Sequence, residues 1–494
     1  MDMSKNVLNT GKATVLLASN RGPVSFTVGD DGALTAKRGG GGLVSGLSSI
    51  EVPDAEGEQV WVCAALSEGD RIATRSAPGG RLDRAGLVDS STAVRMLEIE
   101  AGTFHRAYNA VANSTLWFVH HMLYATATTP SFDGHFNQEW DSFVAYNAAF
   151  AQALAEEAAP AARVMVQDYH LCLVPKMLRE LRPDVRIAHF SHTPWSPPDY
   201  FGILPDRIAI AVLEGMLGAD RVGFLTERWA VSFLDCCTRM LPGANVNMSG
   251  MRVIHNGHTS YIASYSLGVD GPSLVERATQ ADVEQRLSSL KAAVGDCQVI
   301  VRVDRTELSK NIVRGLAAYA DMLRRYPQWQ GHVVHIAFAY PSRHDLPEYR
   351  EYTAAVLRTA KEIEDEFGRP GWEPLILHVE DDFARSLAAY RLADVALVNP
   401  IRDGMNLVAK EVPIVATATG GACALVLSKE AGAFAELGEG SFVVNPYDVT
   451  GTADALHEAL SLDRTERLAR CTRLAELGGA LPPQLWFTRQ VQAL

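Results

Sequence analysis

The chain has 494 residues, which predicts two or more domains, because single hydrophobic cores seldom exceed about 250–300 residues. Hydrophobic residues make up 47% and charged residues 21%, as is typical of a globular protein with large cores. The net charge of −13 argues against a general surface for nucleic acids or acidic membranes, so any phosphate site must be a local group of cations.

The N-terminus and the cysteines favour a cytoplasmic protein. Residues 1–12 are polar and lack the apolar centre of a signal peptide. No apolar run reaches the roughly 20 residues that span a bilayer. The seven cysteines show no paired spacing, which predicts buried thiols in a reducing compartment.

Short apolar runs alternate with longer helical segments along nearly the whole chain, which predicts an α/β protein with parallel sheets covered by helices. Gly, Ser, Pro and Asp dominate residues 264–275, which predicts a linker. We therefore expect two doubly wound, Rossmann-like domains that face a cleft, 1–265 and 266–479, with a tail at 480–494 that can pack back on the first domain. The predicted strands are 14–18, 60–64, 164–167, 187–190, 221–224, 299–303, 333–339, 375–379, 395–398, 424–427 and 441–444.

The first candidate site follows the first strand. Arg21 stands in Ser19-Asn20-Arg21-Gly22-Pro23-Val24, and four glycines follow at 39–42. Consecutive glycines let backbone amides approach an anion, so Gly41 and Gly42 are candidates for a phosphate loop and Arg21 for a phosphate ligand. The alternative is a flexible surface loop with a solvated arginine.

Tyr108 and Trp117 form the second candidate. Aromatic rings cover sugar faces, and their polar tips can bond a phosphate. Without context, two buried core aromatics are the better interpretation of these residues.

Two strand ends supply the third candidate. Asp168 follows the strand 164–167, and His192 follows the strand 187–190 inside Phe190-Ser-His-Thr-Pro-Trp-Ser-Pro-Pro198. Both side chains can bond sugar hydroxyls, although a single histidine after a strand is more often structural. The spacing His189-x-x-His192 does not favour a metal, because residues three apart on a strand point to opposite faces.

Arg305 and Lys310 lie in Val303-Asp-Arg-Thr-Glu-Leu-Ser-Lys310, after a strand and at the start of a helix. Two cations beside a helix N-terminus suit a diphosphate, whose charge grows as a glycosidic bond breaks. Arg343, in Tyr340-Pro-Ser-Arg343, also follows a strand and can reach a phosphate. The alternative for all three is a solvated surface cation.

The most informative segment is Asn399-Pro-Ile-Arg-Asp-Gly-Met-Asn-Leu-Val-Ala-Lys-Glu411. It predicts a turn at Asp403-Gly404 and a helix that opens at about Met405, whose first amides can hold sugar oxygens or an anion. Glu411 then lies about two helical turns on and can grip a ribose diol. The simpler interpretation is a strand-to-helix turn with a capping aspartate.

In this order, the segments resemble the trehalose-6-phosphate synthase family of retaining glycosyltransferases. The resemblance runs from Ser19 to Asp448 and includes Leu427-Ser-Lys-Glu-Ala-Gly432 and Val444-Asn-Pro-Tyr-Asp448. It implies a GT-B fold and transfer of glucose from a nucleotide sugar to glucose 6-phosphate, giving an α,α-1,1 linkage.

The resemblance also implies residue roles. The ligands of the acceptor phosphate are matched by Arg21, Tyr108, Trp117 and Arg343. Asp168 matches the ligand of the acceptor sugar, and His192 matches the residue near the donor anomeric centre. Arg305 and Lys310 match the diphosphate clamp. The donor-hexose site is matched by Asp403 with Gly404, Met405, Asn406 and Leu407. Glu411 matches the ribose ligand, and Gly41 and Gly42 match the loop near the donor phosphates.

The implied reaction is a front-face substitution with retention, and no Asp-x-Asp motif is evident, so we expect neither a metal nor a cofactor. Three residues depart from the family pattern: Met122 stands in place of an aromatic, Asn311 in place of glycine, and Pro413 follows Glu411. We expect the proline to shorten or kink that helix.

The donor base is a separate question. Glu380-Asp381-Asp382 follows the strand 375–379, and a carboxylate such as Asp381 suits the N–H donors of guanine. This favours GDP-glucose over UDP-glucose, and a solvated acidic turn is the alternative.

Two other functions remain open from the sequence: a pseudo-glycosyltransferase that couples cyclitol units, and a silent sensor of sugar phosphates or nucleotide sugars. The intact Asp403-Gly-Met-Asn loop favours a true hexose donor, and Arg305, Lys310, His192 and Glu411 together argue against a sensor. The expected partners are the two small-molecule substrates and, in a homo-oligomer, a second copy of the chain. Neither nucleic acid nor membrane is expected as a partner.

Overall fold

The computed structural model describes residues 12–29, 31–38, 58–88 and 93–494. Contacts group the chain into two compact units, Met1–Tyr265 with Gln484–Leu494, and Ser266–Pro483. The chain leaves the first unit after Tyr265 and returns to it at Gln484.

In the described part of the first unit, nine strands form one sheet with the order β5-β4-β1-β6-β7-β8-β11-β10-β9. The strands from β5 to β8, together with β11, are parallel, and β10 and β9 pair antiparallel at one edge. β2 and β3 form a separate hairpin. The strands are β1 Ala13–Ser19, β2 Val24–Val28, β3 Leu34–Arg38, β4 Glu58–Ala64, β5 Ala93–Leu97, β6 Ala158–Gln167, β7 Arg186–Ser191, β8 Arg221–Phe224, β9 Asn245–Asn247, β10 Arg252–His255 and β11 His258–Ser264.

The second unit contains a six-stranded parallel sheet with the order β14-β13-β12-β15-β16-β17 among the residues described. Numbered from its first strand, this order is 3-2-1-4-5-6, the doubly wound Rossmann arrangement. The strands are β12 Gln298–Arg305, β13 Val333–Tyr340, β14 Leu375–His378, β15 Val395–Val398, β16 Ala424–Ser428 and β17 Phe442–Val444.

Helices alternate with the strands in both units. They are α1 Glu68–Ser76, α2 Ala101–His105, α3 Trp117–His121, α4 Gly134–Glu157, α5 Val174–Leu181, α6 Pro198–Phe201, α7 Asp206–Met216, α8 Glu227–Met240, α9 Gly271–Ala278, α10 Ala281–Val294, α11 Ile312–Arg325, α12 Pro347–Phe367, α13 Phe383–Leu392, α14 Val408–Ala418, α15 Phe434–Leu437, α16 Val449–Ser461, α17 Arg464–Gly479 and α18 Pro483–Gln492. Between α2 and α3 the segment Arg106–Leu116 is π-helical. Short 3₁₀ turns occur at Pro78–Gly80, Tyr169–Leu171, Leu308–Lys310, Pro327–Trp329 and Gly438–Gly440.

The predicted strands all coincide with strands of the two sheets. Their central residues are buried, as β1, β12 and β15 illustrate, because helices cover both faces of a parallel sheet. β5, β11, the hairpin β2–β3 and the antiparallel edge β9–β10 were not predicted. The strands of the hairpin and of that edge are short and largely polar or half-exposed. Six of the seven cysteines are buried free thiols, and Cys297 is half-buried.

Two further observations concern the described residues. No helix among them has the length and apolar character needed to cross a bilayer. The predicted linker contains the last residue of β11 and continues into α9, which begins at Gly271 with Asp270 as its N-cap.

Candidate active site

In each sheet, the candidate residues follow the strands at which the strand order reverses. In the second unit this point lies between β12 and β15: Arg305 is the last residue of β12, and the segments after these strands carry Lys310 and Asp403. In the first unit it lies between β1 and β6, which Arg21 and Asp168 follow, and His192 follows the next strand, β7. Doubly wound sheets bind ligands at the carboxyl ends of their strands at such a point.

Lys310 and Asp403 form an ion pair in the second unit. The ammonium Nζ lies 2.5 Å from Asp403 Oδ2, and both side chains are mostly buried. Burial acts to lower the pKa of Lys310, but the nearby carboxylates of Asp403, Asp304 and Glu307 outweigh it and leave the pKa raised. The site therefore holds a permanent cation beside the carboxylate that was predicted to bind the donor hexose.

Arg305, the second member of the predicted clamp, extends toward solvent. Its side chain is 58% exposed, and its guanidinium lies 3.3 Å from Glu307 Oε1. An exposed arginine is free to turn toward an incoming diphosphate, whereas Lys310 is already fixed.

The helix after Asp403 begins later than predicted. It starts at Val408 rather than at Met405, and residues 404–407 form an irregular turn. Asn406 has φ +72°, and its side-chain Nδ2 donates to Asp403 Oδ2 at 3.2 Å. The prediction that residues 404–407 supply the first amides of a helix was therefore wrong, because a left-handed Asn406 cannot continue a right-handed helix.

A second loop supports the Asp403 turn. Asp403 N–H donates to Glu430 O, Gly432 N–H to Asp403 O, and Ala433 N–H to Met405 O. These bonds account for the segment Leu427-Ser-Lys-Glu-Ala-Gly432, whose backbone holds the turn in place.

Glu411 lies in the first turn of α14, not two turns into a helix. Tyr390 Oη donates to Glu411 Oε2 at 3.1 Å. Burial raises the pKa of Glu411, and the Tyr390 hydrogen bond opposes that shift. Pro413 lies inside α14 without ending it, since the helix continues to Ala418. The expectation of a shorter helix was therefore wrong, and the alternative expectation of a kink stays a prediction.

The acidic run 380–382 divides into two kinds of residue. Asp382 is the N-cap of α13, accepts from Arg385 N–H at 3.0 Å and pairs with Arg286 at 2.9 Å. Asp381 and Glu380 are exposed at the end of β14. Only these two carboxylates have the exposure that contact with a nucleotide base requires.

Arg343 belongs to the second unit, whereas the other predicted phosphate ligands, Arg21, Tyr108 and Trp117, belong to the first. Arg343 has φ +47°, and its Nη1 donates to Tyr349 Oη at 2.6 Å. The structure therefore places it after β13, beside Tyr349.

In the first unit, Asp168 and His192 are joined directly. Asp168 Oδ1 accepts the backbone N–H of His192 at 3.1 Å, and the Asp168 carbonyl lies 3.2 Å from His189 Nε2. Asp168 has φ +70°, a strained conformation for a residue other than glycine and one that concentrates at functional sites.

His192 is held as a neutral imidazole. Burial, with a smaller contribution from His189, lowers its pKa to about 3. Its Nε2 lies 2.9 Å from Gln167 Oε1, so Nε2 carries the hydrogen and Nδ1 is left as an acceptor.

The π-helical segment positions the two predicted aromatics. The Tyr108 ring stacks on His170 with centroids 5.6 Å apart, and the Trp117 ring lies 5.9 Å from Tyr169. Tyr169 Oη donates to Asn113 Oδ1 at 2.8 Å. The segment therefore packs on the residues that directly follow Asp168. Met122, which departs from the family pattern, is the left-handed C-cap of α3.

Arg21 is exposed after β1. Its backbone is fixed by Ser19 Oγ, which donates to Arg21 O at 2.7 Å and accepts from Trp61 Nε1 at 2.7 Å. Gly41 and Gly42, the predicted phosphate-loop glycines, lie outside the described residues.

Sequence reasoning missed several residues that hold the site together. Arg302 and Asp304 form a buried pair at 2.7 Å behind Lys310, and their only sequence signal was charge inside an apolar strand. Trp486 of α18 lies 5.6 Å from the His192 ring and 4.8 Å from the Phe190 ring, a contact that no local pattern encodes.

Across the part of the chain that the structure describes, no cluster of three or more His, Cys, Asp or Glu residues is arranged to hold a metal ion. His189 Nε2 and His192 Nε2 instead face the oxygens of Asp168 and Gln167.

Comparison with known proteins decides the family. The model of Glycosyltransferase family 20 matches residues 14–494. The chain belongs to this family, that of the trehalose-6-phosphate synthases. The sequence resemblance and the two-domain α/β fold of the GT-B type are thereby confirmed, as is the activity of a glucosyltransferase that forms trehalose 6-phosphate.

Three relatives illustrate the match. An α,α-trehalose-phosphate synthase (UDP-forming) of Schizosaccharomyces pombe is 32% identical over 96% of this chain and 88% of its own length. An Escherichia coli structure bound with UDP-2-fluoro glucose is 26% identical, with a TM-score of 0.82 over 97% of this chain and 99% of the other. A UDP-forming synthase of Burkholderia xenovorans in complex with glucose-6-phosphate is 25% identical, with a TM-score of 0.81 over 97% and 99% of the two chains.

Proposed function

We propose that this member of the family uses UDP-glucose as donor and glucose 6-phosphate as acceptor, and that it forms α,α-trehalose 6-phosphate with retention. The ion pair of Lys310 with Asp403, at the point where the strand order of the second sheet reverses, is the observation that carries the proposal. A fixed cation for a diphosphate stands there directly beside a carboxylate for sugar hydroxyls.

The donor is assigned to the second unit. Lys310 has three N–H donors, and one is used by Asp403, so the others are available to phosphate oxygens. Arg305, exposed at the end of β12, supplies a guanidinium fork for the same diphosphate. Asp403 and the turn that follows it bind the hexose, and Glu411 binds the ribose.

The acceptor is assigned to the first unit. Arg21, Tyr108 and Trp117 bind its phosphate, and Asp168 accepts hydrogen bonds from its hydroxyls. His192 offers an unprotonated Nδ1 that accepts a hydrogen from a sugar hydroxyl. Because the pKa of His192 is about 3, this acceptor persists throughout the neutral range.

In the proposed reaction, the bond between the anomeric carbon and the diphosphate oxygen breaks, and a bond to the acceptor hydroxyl oxygen forms on the same face. The acceptor proton passes to the departing phosphate oxygen. Lys310 and Arg305 stabilise the charge that develops on that oxygen, which is the largest effect that a preorganised site of this kind supplies.

We assign UDP-glucose rather than GDP-glucose as the donor because the S. pombe and Burkholderia relatives are named as UDP-forming. The preference for GDP that the acidic run 380–382 suggested stays a prediction. The same proteins give no support to a pseudo-glycosyltransferase or to a silent sensor, and a cytoplasmic location remains part of the proposal.

The test is an assay of nucleotide diphosphate release with glucose 6-phosphate and either UDP-glucose or GDP-glucose. We expect release from UDP-glucose and, by NMR, a product in which both anomeric protons are α. Faster turnover of GDP-glucose would overturn the donor assignment. Absence of turnover with both donors, from a protein shown to be folded, would overturn the proposed function.

A further inference from the structure

Asn311 directly follows Lys310 and has φ +60° and ψ +35°. This left-handed conformation is easy for glycine, and asparagine is among the few other residues that tolerate it. Asn311 therefore places a side chain at a position whose backbone conformation favours glycine. That side chain is buried, with 2% of its surface exposed.

The added amide connects three loops. Asn311 Nδ2 donates to Asn399 O at 3.0 Å and to Pro446 O at 2.7 Å. Asn399 follows β15 and opens the segment that leads to Asp403, and Pro446 follows β17. One side chain thus ties the loop after β12 to the loops after two other strands of the same sheet.

The orientation of this amide is fixed by its other end. Arg314 Nη1 donates to Asn311 Oδ1 at 3.0 Å. A guanidinium has only donors, so the oxygen must face Arg314 and the NH₂ group must face the two carbonyls.

The neighbouring contacts fix Lys310 from both sides. Arg302 Nη2 donates to Lys310 O at 3.0 Å, and Ile401 N–H donates to Ser309 O at 2.8 Å. The Lys310 ammonium is bonded to Asp403. The loop of Lys310 and the loop of Asp403 are therefore joined at the side chain of Lys310, at the backbone of Ser309 and at the side chain of Asn311.

We propose that Asn311 is a positioning residue for the donor diphosphate: its side-chain amide locks the Lys310 loop to the Asp403 loop and sets where the ammonium meets the phosphates. The inference rests on the proposed function, because it assumes that Lys310 binds the diphosphate. Glycine at this position would keep the backbone conformation but would leave the two carbonyls without their donor.

The experiment compares Asn311→Gly with Asn256→Gly. Asn256 is a matched control, since it is also an asparagine with positive φ, 49°, and lies in the exposed turn between β10 and β11 of the first unit. For each protein, UDP binding is measured by calorimetry, the KM of glucose 6-phosphate by the release assay, and stability by urea unfolding.

We expect Asn311→Gly to weaken UDP binding about tenfold, the size expected when one hydrogen-bonded link of this kind is lost. The KM of glucose 6-phosphate should stay within about twofold, and Asn256→Gly should match the wild type in UDP binding. Arg314→Ala, which frees the amide to rotate, should weaken UDP binding in the same direction by less.

Unchanged UDP binding in Asn311→Gly, with the wild type binding UDP normally, would overturn the inference. A rise in the KM of glucose 6-phosphate by the same factor as the loss of UDP affinity would also overturn the inference, since it would indicate a general structural defect. Failure of the wild-type protein to bind UDP would instead contradict the proposed function, so the two failures are distinguishable.

Discussion

Gly432 lies against the carbonyl of Gly404 so closely that a Cβ at position 432 would stand 1.8 Å from the Gly404 oxygen. No real side chain fits at that distance, and the obstructing atom is backbone. The absence of a side chain at Gly432 therefore permits the close approach of the supporting loop to the turn that carries Asp403.

Gly432→Ala should displace the Asp403 turn. We expect kcat/KM for the donor to fall at least about 100-fold, because displacement by about 1 Å can cost that much in a positioned site. Steady-state kinetics would measure this, with Gly134→Ala as control, because a Cβ at Gly134 meets nothing within 4 Å. A fully active Gly432→Ala enzyme would contradict the role assigned to this approach.

Lys310→Met should remove the fixed cation and keep most of the side-chain volume. The expected loss in kcat is about 10²–10³-fold, as for other preorganised charged donors. Lys176→Met is the control, because Lys176 also forms an ion pair, with Glu214 at 2.7 Å, but lies outside the candidate site. Equal rates for the two variants would remove Lys310 from the mechanism.

Tyr390→Phe should release the carboxylate of Glu411. Loss of a hydrogen bond to a charged group predicts UDP binding weaker by about tenfold or more. Burial already raises the pKa of Glu411 and the Tyr390 bond opposes this, so the variant should have a still higher pKa. When the solution is acidified, the UDP affinity of the variant should therefore begin to fall at a higher pH than the UDP affinity of the wild type does.

The control for that measurement is Tyr326→Phe, since Tyr326 Oη also donates to a carboxylate, Asp454 Oδ1 at 2.6 Å, away from the candidate site. Calorimetric titrations with UDP between pH 5 and 8 would give both profiles. Superimposable profiles for wild type and Tyr390→Phe would show that Tyr390 does not tune Glu411.

Trp486→Leu should loosen His192, because it removes the ring that packs on the imidazole and on Phe190. We expect kcat to fall about tenfold, and Trp486→Phe, which keeps an aromatic ring, to restore most of the loss. Trp229→Leu removes another buried tryptophan of the first unit and controls for lost stability. A kcat for Trp486→Leu equal to that of Trp229→Leu would refute the positioning role.

Buried histidines should make the protein lose stability in mild acid. Burial lowers the pKa of His120, His192 and His335 to about 3 and that of His189 to about 4. Between the unfolded value of about 6.5 and these folded values the unfolded chain binds more protons, so stability falls as the pH falls. Each histidine contributes a slope of up to about 1.4 kcal/mol per pH unit.

Urea unfolding between pH 4.5 and 7 would measure this slope. His335→Leu should reduce this slope by about the contribution of one histidine, because His335 is fully buried in β13. A slope unchanged in the variant would show that His335 does not stay neutral in the folded protein.

Local signals in the sequence were sufficient for the sheet of the second unit, for five of the nine strands described in the sheet of the first unit, and for most candidate residues. A short apolar run becomes a buried parallel strand because only that arrangement covers both of its faces, and a polar residue directly after it must then lie at the carboxyl edge. Asp168, His192, Arg305, Lys310 and Asp403 were predicted in this way, together with their place at the strand ends.

Contacts between residues distant in sequence were decided only by the tertiary structure. The start of α14 at Val408 depends on the left-handed Asn406, which belongs to the segment itself, and on backbone bonds with residues 430–433, which lie outside it. The pairs Tyr390–Glu411 and Trp486–His192, and the bridge from Asn311 to Pro446, join positions 21, 294 and 135 residues apart. Packing brings such groups together because folding buries whole surfaces at once, whereas sequence periodicity describes one element at a time.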